Sequence, residues 1–287
     1  MTTLPAPSTA TAILSFDFDG TLHHSAGTPP VPVAFFELIR QLREQQGIVW
    51  GINTGRSMAH MSEGFLESQF PFLPDWVVAR EREIYFPNSY GRWLPHPSWN
   101  ERCETEIDEL FKRIRGLLDR IRQEVAEHTG AHWMEMRGEP ASLISRSEED
   151  MEWIVRRVES LAAHEPRLAW QRNSIYLRFG HRDFQKGSSL GQIAQHYGLT
   201  AARCFAIGDS HNDLEMLDPA YAGMTACPAN AIPTIREKIA ANGGFVTQSS
   251  HGHGSIEALH HYFGQKPTAS EPIHQSLLRK ILNRIPF

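Results

Sequence analysis

Cysteine is scarce in this chain: Cys103, Cys204 and Cys227 are the three, and they lie far apart. None belongs to a CxxC pair, so neither a disulfide framework nor a cysteine zinc site is expected, and a reducing compartment fits. Basic charge is not in excess either. The net charge is -5, with Lys and Arg scattered, so nothing marks a nucleic-acid surface. No apolar run approaches the ~20 residues of a membrane span. The N-terminal MTTLPAPSTATAIL lacks the basic stretch that opens a signal peptide. Low-complexity tracts and internal repeats are missing. What remains, 287 residues of which 41% are hydrophobic, suffices for one large domain or two ordinary ones. A soluble, cytoplasmic globular protein is expected.

The apolar pattern divides the chain into two kinds of region. AILSF (12–16) reads as a buried strand, Phe35, Leu38, Ile39 and Leu42 repeat at helical spacing, and Gly47 closes that helix. IVWGI (48–52) and WVVA (76–79) are further strands, and this rhythm argues for βαβ units on a parallel sheet. From about residue 102 the rhythm changes. Ile107, Leu110, Phe111, Ile114, Leu118 and Ile121 predict one long amphipathic helix. Strands at 131–136 and 141–145, a helix over 148–162 and a hairpin in LAWQRNSIYLRF follow, the order of an α+β insert with an antiparallel sheet. The βα pattern then resumes with a helix stopped by Gly198, the strand CFAI (204–207), a helix near 230–241 and a strand at 244–247. The expected fold is an α/β open parallel sheet, Rossmann-like, with helices on both faces. Residues 1–97 and 181–287 would form this core, and 98–180 a smaller α+β cap.

In such a sheet, ligands sit beyond the carboxyl ends of the strands. Three polar clusters fall there: Asp17 and Asp19 in FDFDGTL, Thr54-Gly55-Arg56, and Asp209 through Asp213 in GDSHND. One acidic turn would mean little, since Asp and Gly are common turn residues. A calcium loop counted from Asp17 would need Glu at the twelfth position, where Thr28 stands. Several such clusters on strand ends of one sheet point instead to a single pocket.

FDFDGTL, NTGRS, the lysine of FQKGSSL and GDSHNDLEML resemble the four ordered motifs of the haloacid dehalogenase superfamily. The insert between the second and third motifs is similar to the cap of the branch that includes sugar-phosphate phosphatases and phosphomannomutase. The resemblance implies a Mg²⁺-dependent phosphatase acting on a small phosphorylated metabolite, such as a sugar phosphate, through an aspartyl phosphate. It implies Asp17 as nucleophile and Asp19 as general acid and then base, with the Asp19 carbonyl on the metal. Asp209 would be the remaining metal carboxylate, and Asp213 a ligand or a group behind one. Thr54, the Gly55 amide, Lys186 and Asn212 would hold the phosphoryl group. The same parts serve a phosphomutase or phosphotransferase, and a fold of this kind can also persist as a binding module without turnover. A monomer or homodimer is expected.

Other residues have plainer readings. Arg56 is as well explained by a structural role as by a ligand role. His23 and His24 are expected to be exposed loop residues. His251, His253, His260 and His261 lack the spacing of a zinc site. Relatives often carry Asn-Gly-Ala after the third strand, where this chain has Ala79-Arg80-Glu81-Arg82-Glu83, so substrate contacts in this region do not transfer. Arg137, Arg146, Arg172 and Asn173 lie near predicted cap strands with no assigned role. A last apolar stripe, Ile273 to Leu282, is expected to pack on the core.

Overall fold

A computed structural model describes residues 9–136 and 139–264. The stripe at 273–282 and Arg137 therefore lie outside the described residues.

The short apolar run becomes strand β1 (Ile13–Phe16), whose four residues are all buried. A strand wholly enclosed on both faces needs continuous apolar side chains rather than alternation. It lies between β2 (Val49–Asn53) and β10 (Cys204–Ile207), parallel to both. Strands β3 (Trp76–Ala79), β11 (Met224–Cys227) and β12 (Phe245–Val246) extend the parallel part on either side. Two strands absent from the sequence expectation, β4 (Glu83–Pro87) and β5 (Trp93–Pro95), add an antiparallel edge beyond β3. The full order is β12-β11-β10-β1-β2-β3-β4-β5, so the sheet is mostly rather than wholly parallel. An antiparallel edge is common on such sheets.

Helices α1 (Val33–Gln46), α2 (Met58–Glu67), α6 (Lys186–His196), α7 (Pro233–Ala241) and α8 (His251–Phe263) accompany this sheet. Gly47 ends α1 in the left-handed region at φ 66, as its position predicts. The interior is strongly aromatic on one face. Phe16 meets Phe35 edge-on at 5.1 Å, and Trp50 lies 5.6 Å from Phe35.

Gly51 is fixed by a close approach. A Cβ there would lie 2.2 Å from Cδ2 of Trp76, its partner on the adjacent strand. Gly51→Ala must push a fully buried indole aside, and overpacking of this kind costs about 1–3 kcal/mol. The expected result is a lower urea midpoint at unchanged slope; an unshifted midpoint would refute this reading of the contact.

The second sheet has the order β6-β7-β9-β8, all antiparallel, from β6 (His132–Met136), β7 (Glu139–Ile144), β8 (Leu168–Asn173) and β9 (Tyr176–His181). The helix expected as one long element is two, α3 (Pro97–Arg113) and α4 (Arg115–His128), meeting at Ile114 with ψ near 13°. Ile107, Leu110, Ile114, Leu118 and Ile121 are all buried across this junction. The single stripe survives because the interruption is one residue long. Helix α5 (Glu148–Leu161) starts at Ser147, whose side chain accepts from the Asp150 amide.

Candidate active site

The three central strands run parallel with Phe16 beside both Ile52 and Ile207, so their carboxyl ends are level. The residues after them are therefore forced together. The Asp17 amide continues the ladder by donating to the Ile207 carbonyl at 3.0 Å. Its carboxylate, nearly enclosed, lies in the same group as Asp209 and Asp213, with one oxygen from each within 4.8 Å of the others.

Glycine in FDFDGTL has a double cause. Gly20 sits at φ 83, and a Cβ there would lie 2.6 Å from Asp209 Oδ2. The turn thus admits the carboxylate of a residue 189 positions later, and the Thr21 hydroxyl donates to Asp209 Oδ1 at 2.7 Å. Thr21 was not singled out from sequence, although it stands inside the motif.

Lys186 is the centre of the cluster. It is fully buried at the start of α6, where a cation gains nothing from the helix dipole. Carboxylates supply what the helix does not. Its Nζ donates to Asp17 Oδ1 at 2.5 Å and to Asp213 Oδ1 at 2.6 Å. The helix start is anchored independently. Glu215 accepts from the Gly187 and Ser188 amides, and the Asn53 side chain donates to the Lys186 carbonyl at 2.9 Å. Glu215 and Asn53 are supports that sequence reasoning missed, though both stand inside quoted motifs.

Electrostatics follow from enclosing three carboxylates with one ammonium. Burial lifts the Asp17 carboxyl well above the ordinary range, against the pull of Lys186. Asp209 is pushed up to about 6, by burial first and then by Asp213. Burial alone would favour neutral Lys186, but Asp17 and Asp213 outweigh it and hold the ammonium charged.

Asp213 has no exposed surface, and both of its oxygens are engaged. Oδ1 takes Lys186, while Oδ2 accepts the Asp209 and Ser210 amides at 2.9 and 3.0 Å. It orders the loop that carries Asp209.

Thr54 is buried beside this group, and its hydroxyl accepts from the Arg56 amide at 3.1 Å. The Gly55 carbonyl accepts from Arg178 Nη2 on β9 at 3.2 Å, so the second sheet reaches the loop after β2 directly. Asn212 donates to Glu81 Oε1 at 2.8 Å.

Asp19 points elsewhere. Its carboxylate is 45% exposed and forms a two-point pair with Arg56, at 2.6 and 2.7 Å. The Arg56 guanidinium also lies 4.8 Å over the Phe18 ring. Donating to Asp19 raises the Arg56 pKa further. The structure thus brings Asp17, Lys186, Asp209 and Asp213 together, places Thr54 at the end of the neighbouring strand β2 and Asn212 on Glu81, and sets the Asp19 side chain apart on an arginine.

One histidine expectation needs correction. His23 is buried, stacked on Phe18 at 4.9 Å, because the turn after Asp19 folds back with Gly20 donating to the His23 carbonyl. His251 belongs to α8 and stacks on the exposed His24 at 4.1 Å.

Known proteins resemble this chain in sequence and in fold. The family described as haloacid dehalogenase-like hydrolase matches residues 123–259, a stretch containing Lys186, Asp209 and Asp213. A phosphoglycolate phosphatase of Methanosarcina acetivorans is 45% identical over 74 residues, 26% of this chain and 30% of that protein. One from Methanothermobacter thermautotrophicus is 39% identical over 79 residues, 28% of this chain and 33% of that protein. The chain therefore spans a third or less of the length of these curated relatives. The sucrose-phosphatase of Synechocystis, solved with sucrose and phosphate, shares the fold at TM-score 0.64 and 18% identity, covering 88% of this chain and 98% of that one. Over residues 123–259 the chain is similar to haloacid dehalogenase-like hydrolases, and the fold sets that segment beside Asp17 and Thr54 at the ends of the parallel strands.

Proposed function

We propose that this protein is a metal-dependent phosphatase that cleaves a phosphate monoester of a small metabolite, with Asp17 as the attacking group. The observation that carries this reading is the buried Lys186 ammonium held between Asp17 and Asp213, with Asp209 beside them. Such a constellation can accept a phosphoryl dianion beside a carboxylate nucleophile only if the negative charge is neutralised. The names of the two curated relatives, both phosphatases, support the same class.

The donor set fits a hard divalent cation, Mg²⁺ by preference, because carboxylate oxygens are the available ligands. Asp17 and Asp209 would hold it, together with the backbone at Asp19. Asp213, with both oxygens committed, would orient Asp209. Such a cation supplies charge neutralisation for the nucleophile and the phosphoryl oxygens. Thr54, the Gly55 amide, Lys186 and Asn212 bind the phosphoryl group. Asp19 moves a proton to the leaving oxygen, which requires its carboxylate to turn from Arg56. The second sheet with α3, α4 and α5 acts as a lid over the leaving group.

Cation binding should depend on pH with a definite sign. A carboxyl raised in the fold contributes stability in its protonated form; for Asp209 that contribution is lost as pH rises through about 6. Above that pH the crowded carboxylates oppose folding, and a bound dication relieves them. Mg²⁺ should therefore raise the melting temperature more at about pH 7.5 than at about pH 5. An equal shift at both values, followed by scanning fluorimetry, would count against carboxylate ligation at Asp209. Activity is tested with p-nitrophenyl phosphate: turnover should vanish with a chelator and return with Mg²⁺. Turnover indifferent to the chelator would refute metal dependence, and none under any condition would refute the phosphatase reading.

A further inference from the structure

The charged stretch after β3 is a built feature of the site. Arg80 and Glu81 both sit at positive φ, 49° and 66°, which side-chain-bearing residues adopt at a cost. Their backbone is clamped to the loop after β2: the Arg80 amide donates to the Arg56 carbonyl and the Glu81 amide to the Thr54 carbonyl, each at 2.8 Å. This conformation turns the Glu81 side chain inward.

Glu81 is 5% exposed. Its Oε1 accepts from Asn212, and a Cβ placed on Gly55 would meet that same oxygen at 3.4 Å. The carboxylate therefore borders two groups assigned to the phosphoryl site. Among the described residues its Oε2 is buried with no hydrogen-bond donor; Arg178 Nη1 on β9 is 3.8 Å away. That separation is longer than a hydrogen bond. A buried carboxylate oxygen in this state favours a neutral O–H or N–H donor and disfavours a second anion.

The surrounding cations reinforce the bias, because each already faces carboxylates. Arg56 holds Asp19, Lys186 holds Asp17 and Asp213, and Arg178 faces Glu81. Arg172 on β8, near His211, holds both Glu148 and Glu152.

Resting on the phosphatase reading, we propose that Glu81 is a specificity-determining residue that rejects leaving groups carrying a second negative charge and accepts hydroxyl-bearing ones. Its Oε2 takes a substrate hydroxyl beside the Gly55 loop. This sets the chain apart from what the names of its curated relatives indicate, since phosphoglycolate carries a carboxylate next to the ester carbon.

The test is a matched pair, glycerol phosphate and phosphoglycerate, which differ by a hydroxymethyl against a carboxylate on one skeleton. It reads the ratio of kcat/KM, or of inhibition constants against p-nitrophenyl phosphate where the pair is not turned over. The wild type should favour glycerol phosphate by about tenfold or more. Glu81→Gln keeps an oxygen for Asn212 and loses the charge, and should shrink that ratio by about tenfold. Glu81→Asp keeps the charge and should keep the preference. A wild type that prefers phosphoglycerate overturns the proposal whatever the variants do, and so does an unchanged ratio in a folded Glu81→Gln. A wild type inert toward p-nitrophenyl phosphate as well would instead strike the phosphatase reading.

Discussion

Asp17→Asn is expected to abolish turnover while the protein stays folded. The amide matches the carboxylate in shape, so the packing at the end of β1 is undisturbed. Lys186 keeps one carboxylate partner, Asp213, at 2.6 Å. Burial already disfavours charge at Asp17, so removing it relieves the fold rather than straining it. Catalysis is another matter, because an amide cannot take a phosphoryl group. Loss of a nucleophile costs on the order of 10⁴-fold or more in kcat. Steady-state rates on p-nitrophenyl phosphate, with circular dichroism as the folding control, decide the point. A folded variant within about tenfold of the wild type would remove Asp17 from the chemistry.

Lys186→Ala is expected to be the more damaging change to the fold. No water reaches the Lys186 side chain, and it touches two carboxylates. Removing one partner of a buried ionic cluster costs about 3–5 kcal/mol, because the charges left behind are neither solvated nor paired. The cost should depend on pH. Near neutrality the Asp17 carboxyl must either remain charged in a dry site or take up a proton. Toward about pH 5 the raised Asp17 carboxyl is protonated more readily, so the penalty should shrink. Urea midpoints for wild type and variant at the two pH values measure this directly. A penalty below about 1 kcal/mol, or one that grows on acidification, would mean that Lys186 does not neutralise these groups.

Much of the fold was legible because its strongest signals are local. The apolar run broken only by Ser15 before Asp17, a glycine after α1 and a glycine after α6 each report their own neighbourhood. The edge strands β4 and β5 were missed because their burial alternates or is partial and the intervening segment carries charge, so no apolar run announces them. The site divides in the same way. Asp17, Thr54, Lys186 and Asp209 follow strands or open a helix, and ordered motifs expose them. Pairings between distant segments were not readable. Nothing in the order of residues says that Arg56 takes Asp19, that Thr21 holds Asp209, or that Glu81 meets Asn212 131 positions later. Arg178 was overlooked altogether, since an arginine in a hairpin strand looks like any surface residue until the second sheet is placed over Gly55.

The central claim is covalent: the phosphoryl group passes to Asp17 before water releases it. Rapid quenching of the wild type with a phosphoryl donor such as acetyl phosphate, then peptide mapping by mass spectrometry, tests it most directly. The account predicts the mass gain of one phosphoryl group on the peptide containing Asp17, absent from Asp17→Asn and lost when the quench is delayed. A turning-over enzyme that never carries this group, or carries it on another residue, would contradict the account.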